Sequence, residues 1–303
     1  MRTLEQTYDV AVVGGGIPGF AAAVTAAESG LSTILLERRP VLGWEGTWAF
    51  GLDAAEATSP LGKRVFVAVE GAGGRSVGRL DAPILEITLD RLAAAAGLRV
   101  LYYATPLALC LDDNLVAGVV FGWKNGEFTI RAKAFVDATE TGFLWRETGQ
   151  NLSPPEDPGA SHSAYLNGAR WESEEAISLG SCGGATEVTL KPSVWPGEVA
   201  LEYGVERCDI RAARLLLPGV LRAAKELVPE IAPANVTHVG YEPMPAEHPV
   251  SAQDSDGASP VHANLFGAGL WLSSAQQPNT LASRFACGER IGGLLVARFP
   301  GLR

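Results

Sequence analysis

Apolar and polar positions along the chain fall into blocks of different period. Residues 9–13, DVAVV, are a nearly unbroken apolar run rich in β-branched side chains, the pattern of a strand buried on both faces of a parallel sheet. A helical stretch follows through Phe20, Ala23, Val24 and Ala27, and Gly30 is placed to end it in the left-handed region. A second apolar run, STILLE at 32–37, completes a strand–helix–strand unit. Residues 81–96 predict a helix, RVLYY at 99–103 a strand, and three short strand candidates lie between Pro106 and Lys133, with a hairpin turning at KNGE. Farther on, EVALEYG (198–204) and NVTHVGYE (235–242) read as strands. Between them, residues 209–228 read as a helix pair broken at Pro218. GAGGRSVG at 71–78 reads as a hairpin or loop, because no helix-forming segment follows it directly.

Composition narrows the picture. At 303 residues, 47% of them hydrophobic, the chain is long enough for one large domain or two closely joined ones. The formal charge of −10 argues against a nucleic-acid binder, which needs a basic footprint. Cys110, Cys182, Cys208 and Cys287 form no C-x-x-C pair and are read as reduced thiols of a cytoplasmic protein. The start of the chain reaches its first strand too soon for a signal peptide, and no apolar run approaches the length of a membrane span. The histidines are isolated, with no H-x-x-x-H, so no metal site is expected.

The chemistry concentrates between the first strand and the first helix. Gly14, Gly16 and Gly19 spell G-x-G-x-x-G. In a dinucleotide site the first glycine makes the tight turn, the second lets the backbone approach a pyrophosphate, and the third lets helix pack on strand. Pro18 suits the first helical turn, where its missing N–H costs nothing. Glu37 follows about twenty residues past the central glycine, where a carboxylate accepts ribose hydroxyls and repels a 2′-phosphate. The segment therefore holds the ADP half of FAD or NAD rather than NADP.

Three stretches resemble the FAD-dependent oxidoreductases with a glutathione-reductase-type flavin fold. They are VVGGGIPGFAAAVTAAESGLSTILLERR, FVDATETG, and HANLFGAGLWLSSAQQPNTLASRFACGERIGGLLVARF near the end of the chain. The resemblance covers about residues 8–52, 81–146 and 262–299, with Glu140 where the family places a glycine. It implies an α/β fold: a Rossmann-like parallel-sheet FAD-binding domain with a β-meander, made of residues 1–146 and 262–303. Residues 147–261 would be a small inserted α+β substrate or cap region, entered through NLSPPEDPGASHS at 151–163.

The same resemblance implies the cofactor contacts. Gly14, Gly16, Ile17, Pro18, Gly19, Glu37 and Arg38 come from the first unit, and Gly43, Thr47 and Trp48 from the loop after it. Leu107, Ala138 and Thr139 come from the middle of the chain, Gly267 and Gly269 from the return strand, and Arg284 and Phe285 from the closing helix. That helix begins at Asn279 or Thr280, with Gly288 and Gly292 spaced for close approach to the sheet. Trp44, Trp48, Trp145 and Trp271 suggest an apolar substrate pocket, and His248, His262 and Tyr241, with Glu242, are the acid–base candidates.

The implied function is an FAD-dependent oxidase or dehydrogenase acting on a small, partly apolar organic molecule, without nucleic-acid or membrane partners. A homo-oligomer or a partner subunit is compatible with the sequence. The alternatives are a flavin monooxygenase, a non-catalytic FAD-binding partner subunit, and an NAD-binding protein of the thiazole-synthase type.

Overall fold

The structure, a computed structural model, describes residues 2–54, 56–149, 159–245, 262–269 and 280–298. In chain order the first half comprises β1 (Arg2–Val13), α1 (Ile17–Glu28), β2 (Thr33–Glu37), α2 (Trp44–Thr47), α3 (Pro60–Gly71), the hairpin β3 (Arg75–Ser76) and β4 (Arg79–Leu80), α4 (Ala82–Ala95) and β5 (Arg99–Tyr102). Next come the meander β6 (Thr105–Asp112), β7 (Leu115–Trp123) and β8 (Gly126–Asp137), then α5 (Phe143–Glu147). A second group holds β9 (Ala160–Asn167), β10 (Ile177–Cys182), β11 (Ala185–Pro192), β12 (Glu198–Val205), α6 (Ile210–Leu227), β13 (Asn235–Val239) and β14 (Met244–Pro245). The chain then returns through β15 (Leu265–Gly267) and α7 (Leu281–Arg298).

The first sheet runs in the order β5-β2-β1-β8-β7-β6. Strands β5, β2, β1 and β8 are mutually parallel, β15 pairs parallel to the last residues of β8, and the meander strands are antiparallel. Both faces of its centre are covered, which is why β1 and β2 read as apolar runs: Val10, Val12 and Leu35 face one core, and Ala11, Val13, Ile34 and Leu36 face the other. Helix α7 lies on α1 rather than on the sheet, as expected from its glycines only in kind. A Cβ on Gly288 would come within 2.1 Å of the Pro18 carbonyl oxygen, and one on Gly292 within 2.6 Å of Thr25.

The second sheet has the order β10-β11-β12-β9-β13, with β14 also on β9. Its pairs are antiparallel, and alternation along each strand assigns the two faces. Val188, Leu190, Val199, Leu201 and Tyr203 join the core with Ala213, Val220 and Ala224 of α6. Tyr165 and Ala200, on the opposite face, belong to the core of the first sheet.

Three expectations are corrected. Helix α6 is one continuous helix with Pro218 inside it, where two were expected. Its backbone lies against the turn between β10 and β11 so closely that a Cβ on Gly183 would stand 2.4 Å from Val220, and this packing outweighs one missing helical hydrogen bond. Strand β9 begins at Ala160, so the end of the expected linker, residues 160–163, is sheet. Helix α3 was not expected at all; Ser59 caps it and it packs near α4 and α7.

Candidate functional site

Strand β1 delivers Gly14 to the carboxyl edge of the sheet, where φ is +103° and a Cβ would lie 2.4 Å from the Ala138 carbonyl oxygen. Only glycine fits both the angle and the space. A Cβ on Gly19 would meet the Gly14 carbonyl at 1.9 Å, so this glycine closes helix onto strand. The Ala138 N–H donates to Val13 at 2.8 Å, and the Gly43 N–H donates to Gly15 at 2.7 Å. These bonds clasp the glycine turn between the loop after β2 and the turn after β8.

Glu37, at the end of β2, is buried and accepts from the Gly15 N–H at 2.5 Å and from the Arg39 N–H at 2.8 Å. Burial pushes its carboxyl above the usual range, against the pull of the Arg39 charge. Beside it lies a cavity of about 350 Å³. Val13, Gly14, Leu36 and Glu37 line one side, Ala104, Thr105 and Pro106 another, and Thr139, Glu140 and Phe143 a third. Its position at the carboxyl ends of parallel strands, beside the buried Glu37 carboxylate, suits an adenosine group.

Arg39 closes this region. Its guanidinium reaches Glu140 at 2.6 Å and Glu242 at 2.5 Å, and stands over the Trp44 ring at 4.2 Å. Arg38 reaches the same two glutamates at 3.2 Å. Glu140, in the place of the expected glycine, thus belongs to an ion cluster centred on Arg39 that joins the two sheets. Asp137 holds the turn before it: the Thr139 N–H and hydroxyl donate to Oδ1, and the Trp145 N–H donates to Oδ2. Full burial pushes the Asp137 carboxyl up to about 6 despite these donors.

At the start of α1 an anion already sits. Glu45 of α2 is buried, with Oε2 accepting from the Ile17 N–H at 2.9 Å and Oε1 lying 3.1 Å from Nη1 of Arg284. A Cβ on Gly16 would stand 2.7 Å from that Oε1. The space which the central glycine keeps clear therefore accommodates an anion, as a pyrophosphate requires. Trp48 adds a buried indole N–H without a hydrogen-bond partner among the described residues.

A second cavity, about 400 Å³, opens between the sheets. Thr47, Phe50 and Leu52 form its floor, and Tyr165, Trp195, Glu198, His238 and Tyr241 come from the other sheet, with Asp81 and Glu86 of the α4 region at one side. Phe50 meets Tyr165 edge-on at 5.3 Å, and Trp48 meets Tyr241 at 5.0 Å. Behind this wall, Arg79 holds Tyr165, Glu202 and Asp53, bolting the sheets together with Lys191.

Several expected positions are corrected. His262 is buried where β15 begins, at the end of the strand opposite the nucleotide edge, and lines neither cavity; neighbouring Asn264 is bonded to both the N–H and carbonyl of Val116. Phe285 fills the core between Phe20 and Phe66, because its helix faces α1 and α3 there. Arg284 is buried and pairs with Glu45. Leu107 is exposed on the meander, and Thr105 and Pro106 line the adenosine-sized cavity in its place. Trp145 is buried in the core beneath the sheet, whereas Trp195, which no local pattern marks, faces the second cavity. Gly267 and Gly269 are buried at the end of the return strand. His248, Trp271 and Asn279 lie outside the described residues.

A parallel sheet with this glycine turn, strand-end glutamate and meander defines a flavin-type dinucleotide-binding fold. Residues 9–157 match the family model described as FAD dependent oxidoreductase. Digeranylgeranylglycerophospholipid reductase 1 of Methanococcoides burtonii is 32% identical over 155 residues, 45% of this chain and 38% of the relative. The counterpart from Methanocella arvoryzae is 33% identical, also over 155 residues, 45% of this chain and 40% of its own length. The matched part thus spans about two fifths of these curated relatives. Among solved structures, a geranylgeranyl bacteriochlorophyll reductase-like protein from Thermoplasma acidophilum superposes with a TM-score of 0.68, covering 98% of this chain and 80% of that one at 18% identity. The flavin-dependent brominase Bmp2 gives 0.71, with 98% and 80% covered at 13% identity. Both show the fold. No described helix is long and apolar enough to cross a membrane.

Proposed function

We propose that the chain is an FAD-dependent oxidoreductase that oxidises a small, partly apolar organic substrate in the cavity between its two sheets. One observation carries this reading. The adenosine-sized cavity takes in Gly14, the Glu45 carboxylate marks an anion seat at Gly16, and the aromatic cavity takes in Thr47, two residues past Glu45. That succession matches a dinucleotide whose far end reaches a second compartment.

When bound, FAD supplies the acceptor for a hydride or electron pair. The chain supplies the rest. Glu37 Oε2 has a lone pair beyond its bond to the Gly15 N–H that would take a ribose hydroxyl, the start of α1, where Glu45 now holds the Ile17 N–H, would take a pyrophosphate, and the Trp48 indole can donate to a cofactor oxygen. Phe50, Tyr165, Trp195 and Tyr241 shield an apolar substrate body from water. His238 and Glu198, the latter pushed up by burial, can hold or accept a proton at the substrate's polar end. Residues 1–146 with 262–303 act as the FAD-binding domain in this reading, and 147–261 as the substrate region.

The absorbance spectrum of the purified protein tests it, with the released cofactor identified by mass. Flavin bands, free FAD after denaturation, and anaerobic bleaching by an organic substrate are expected. Rapid bleaching by NADPH, accelerated by an aromatic compound, would replace this reading with a monooxygenase. A colourless protein that takes up NAD and ignores FAD would overturn it.

A further inference from the structure

We propose that Glu45 is an internal occupant of the diphosphate seat, and that the cofactor loads by exchanging its own diphosphate for the Glu45 carboxylate while Arg284 remains as counter-ion. The inference rests on reading the glycine turn as a dinucleotide site. Glu45 is 2% exposed and Arg284 5%, so this is a buried pair facing a helix start, not a surface contact. Both carboxylate oxygens are engaged, Oε2 by the first N–H of α1 and Oε1 by the guanidinium. Oε1 also lies 2.7 Å from where a Gly16 Cβ would be. The carboxylate therefore stands in the volume that the motif reserves for a pyrophosphate.

Two anions cannot share that volume. A phosphate placed against the Ile17 N–H would meet a carboxylate at contact distance, in a site where burial leaves their repulsion poorly screened. The helix start favours either anion through its free N–H groups and its dipole, and Arg284 serves whichever is present. Glu45 sits on α2, a single turn entered through Gly43 in the left-handed region, so its side chain can leave without unfolding a long element. In the free protein it keeps the buried arginine and the helix start compensated. In the loaded protein the diphosphate does so.

Calorimetric titration of the full chain, stripped of FAD, with adenosine, ADP and FAD separates these roles. Glu45→Gln keeps the shape and removes the charge. It should bind ADP and FAD about tenfold more tightly than the parent while adenosine, which has no phosphate, binds equally. Arg284→Met introduced into that variant should weaken ADP and again spare adenosine. Glu45→Ala, read the same way, covers the case in which the amide disturbs folding. Failure of both Glu45 variants to gain affinity for ADP relative to adenosine, with FAD still binding the parent, overturns the exchange alone. If neither ADP nor FAD binds the parent or the variants, the dinucleotide reading falls and the exchange with it.

Discussion

Arg39, just past the end of β2, grips Glu242 of the second sheet's final turn, with Nε 3.0 Å from Oε1 and Nη2 2.5 Å from Oε2. The same guanidinium serves Glu140 and Glu37, and these carboxylates hold it firmly charged despite burial. Arg39→Met would leave three carboxylates around an apolar side chain. Breaking a buried cluster of this kind costs about 3 kcal/mol or more, which urea denaturation of the cofactor-free protein should show. Glu242→Gln should cost less, because that side chain is partly exposed and Arg39 keeps its other partners. Equal stability of Arg39→Met and the parent would mean that the cluster does not hold the sheets together.

The glycines of the turn should separate folding from cofactor binding. Gly19→Ala places a Cβ 1.9 Å from a backbone oxygen, and overpacking there should destabilise the protein by about 3 kcal/mol. Gly16→Ala meets only the end of the Glu45 side chain, which can shift. Its far-UV circular dichroism and unliganded melting temperature should match the parent while FAD retention on gel filtration is lost. A Gly16→Ala protein that retains stoichiometric FAD would move the cofactor away from this turn.

The strand–helix–strand unit and the meander were legible because their determinants are local. Gly14, Gly16, Gly19 and Glu37 are fixed by spacing within one strand–helix–strand unit, and the meander by short strands with a tight turn. Contacts across the chain left no such mark. Glu45 meets Arg284 across 239 positions of sequence, and Trp195 enters the cavity only because the second sheet folds back over Thr47. His262 misled because sequence shows its nearness to the return strand but not which end of that strand it occupies. Pro218 misled because packing of α6 on the turn at Gly183 outweighs a local breaker.

Asp137 gives a pH signature. Burial raises its carboxyl from 3.8 to about 6, so the folded state holds the proton more tightly than the unfolded chain. The sign follows: stability falls as pH rises between about 4 and 6, by roughly 3 kcal/mol from this group, and is restored on acidification through that window. Asp137→Asn carries no such charge. The difference in unfolding free energy between parent and variant, followed from pH 4 to 7, should shift in favour of the variant as pH rises. A difference that is flat with pH would show that the carboxyl titrates normally.

Charge in the second cavity should decide which substrates reduce the flavin. Asp81, Glu86 and Glu198 line it, and among the described residues no lysine or arginine does. Asp81 is committed to the Ile84 N–H and the Trp195 indole, and Glu198 accepts from the Ser193 hydroxyl at 2.5 Å. Glu86 is pushed up by burial and by neighbouring Asp90. Segments 246–261 and 270–279 contain no lysine or arginine either. A carboxylate substrate would thus lose its hydration in a field of its own sign, whereas a neutral alcohol or an amine gains acceptors, and an amine gains aromatic faces as well. Anaerobic stopped-flow measurements at the flavin band, with aromatic and aliphatic alcohols, amines and acids, should show bleaching by amines or alcohols and none by acids. Tyr241→Ala, which removes one edge-on partner from the wall, should slow that bleaching about tenfold or more and leave FAD binding within about twofold. Glu86→Gln together with Glu198→Gln should relax the exclusion of acids. Rapid reduction of the unaltered protein by a carboxylic acid would show that the substrate is bound elsewhere.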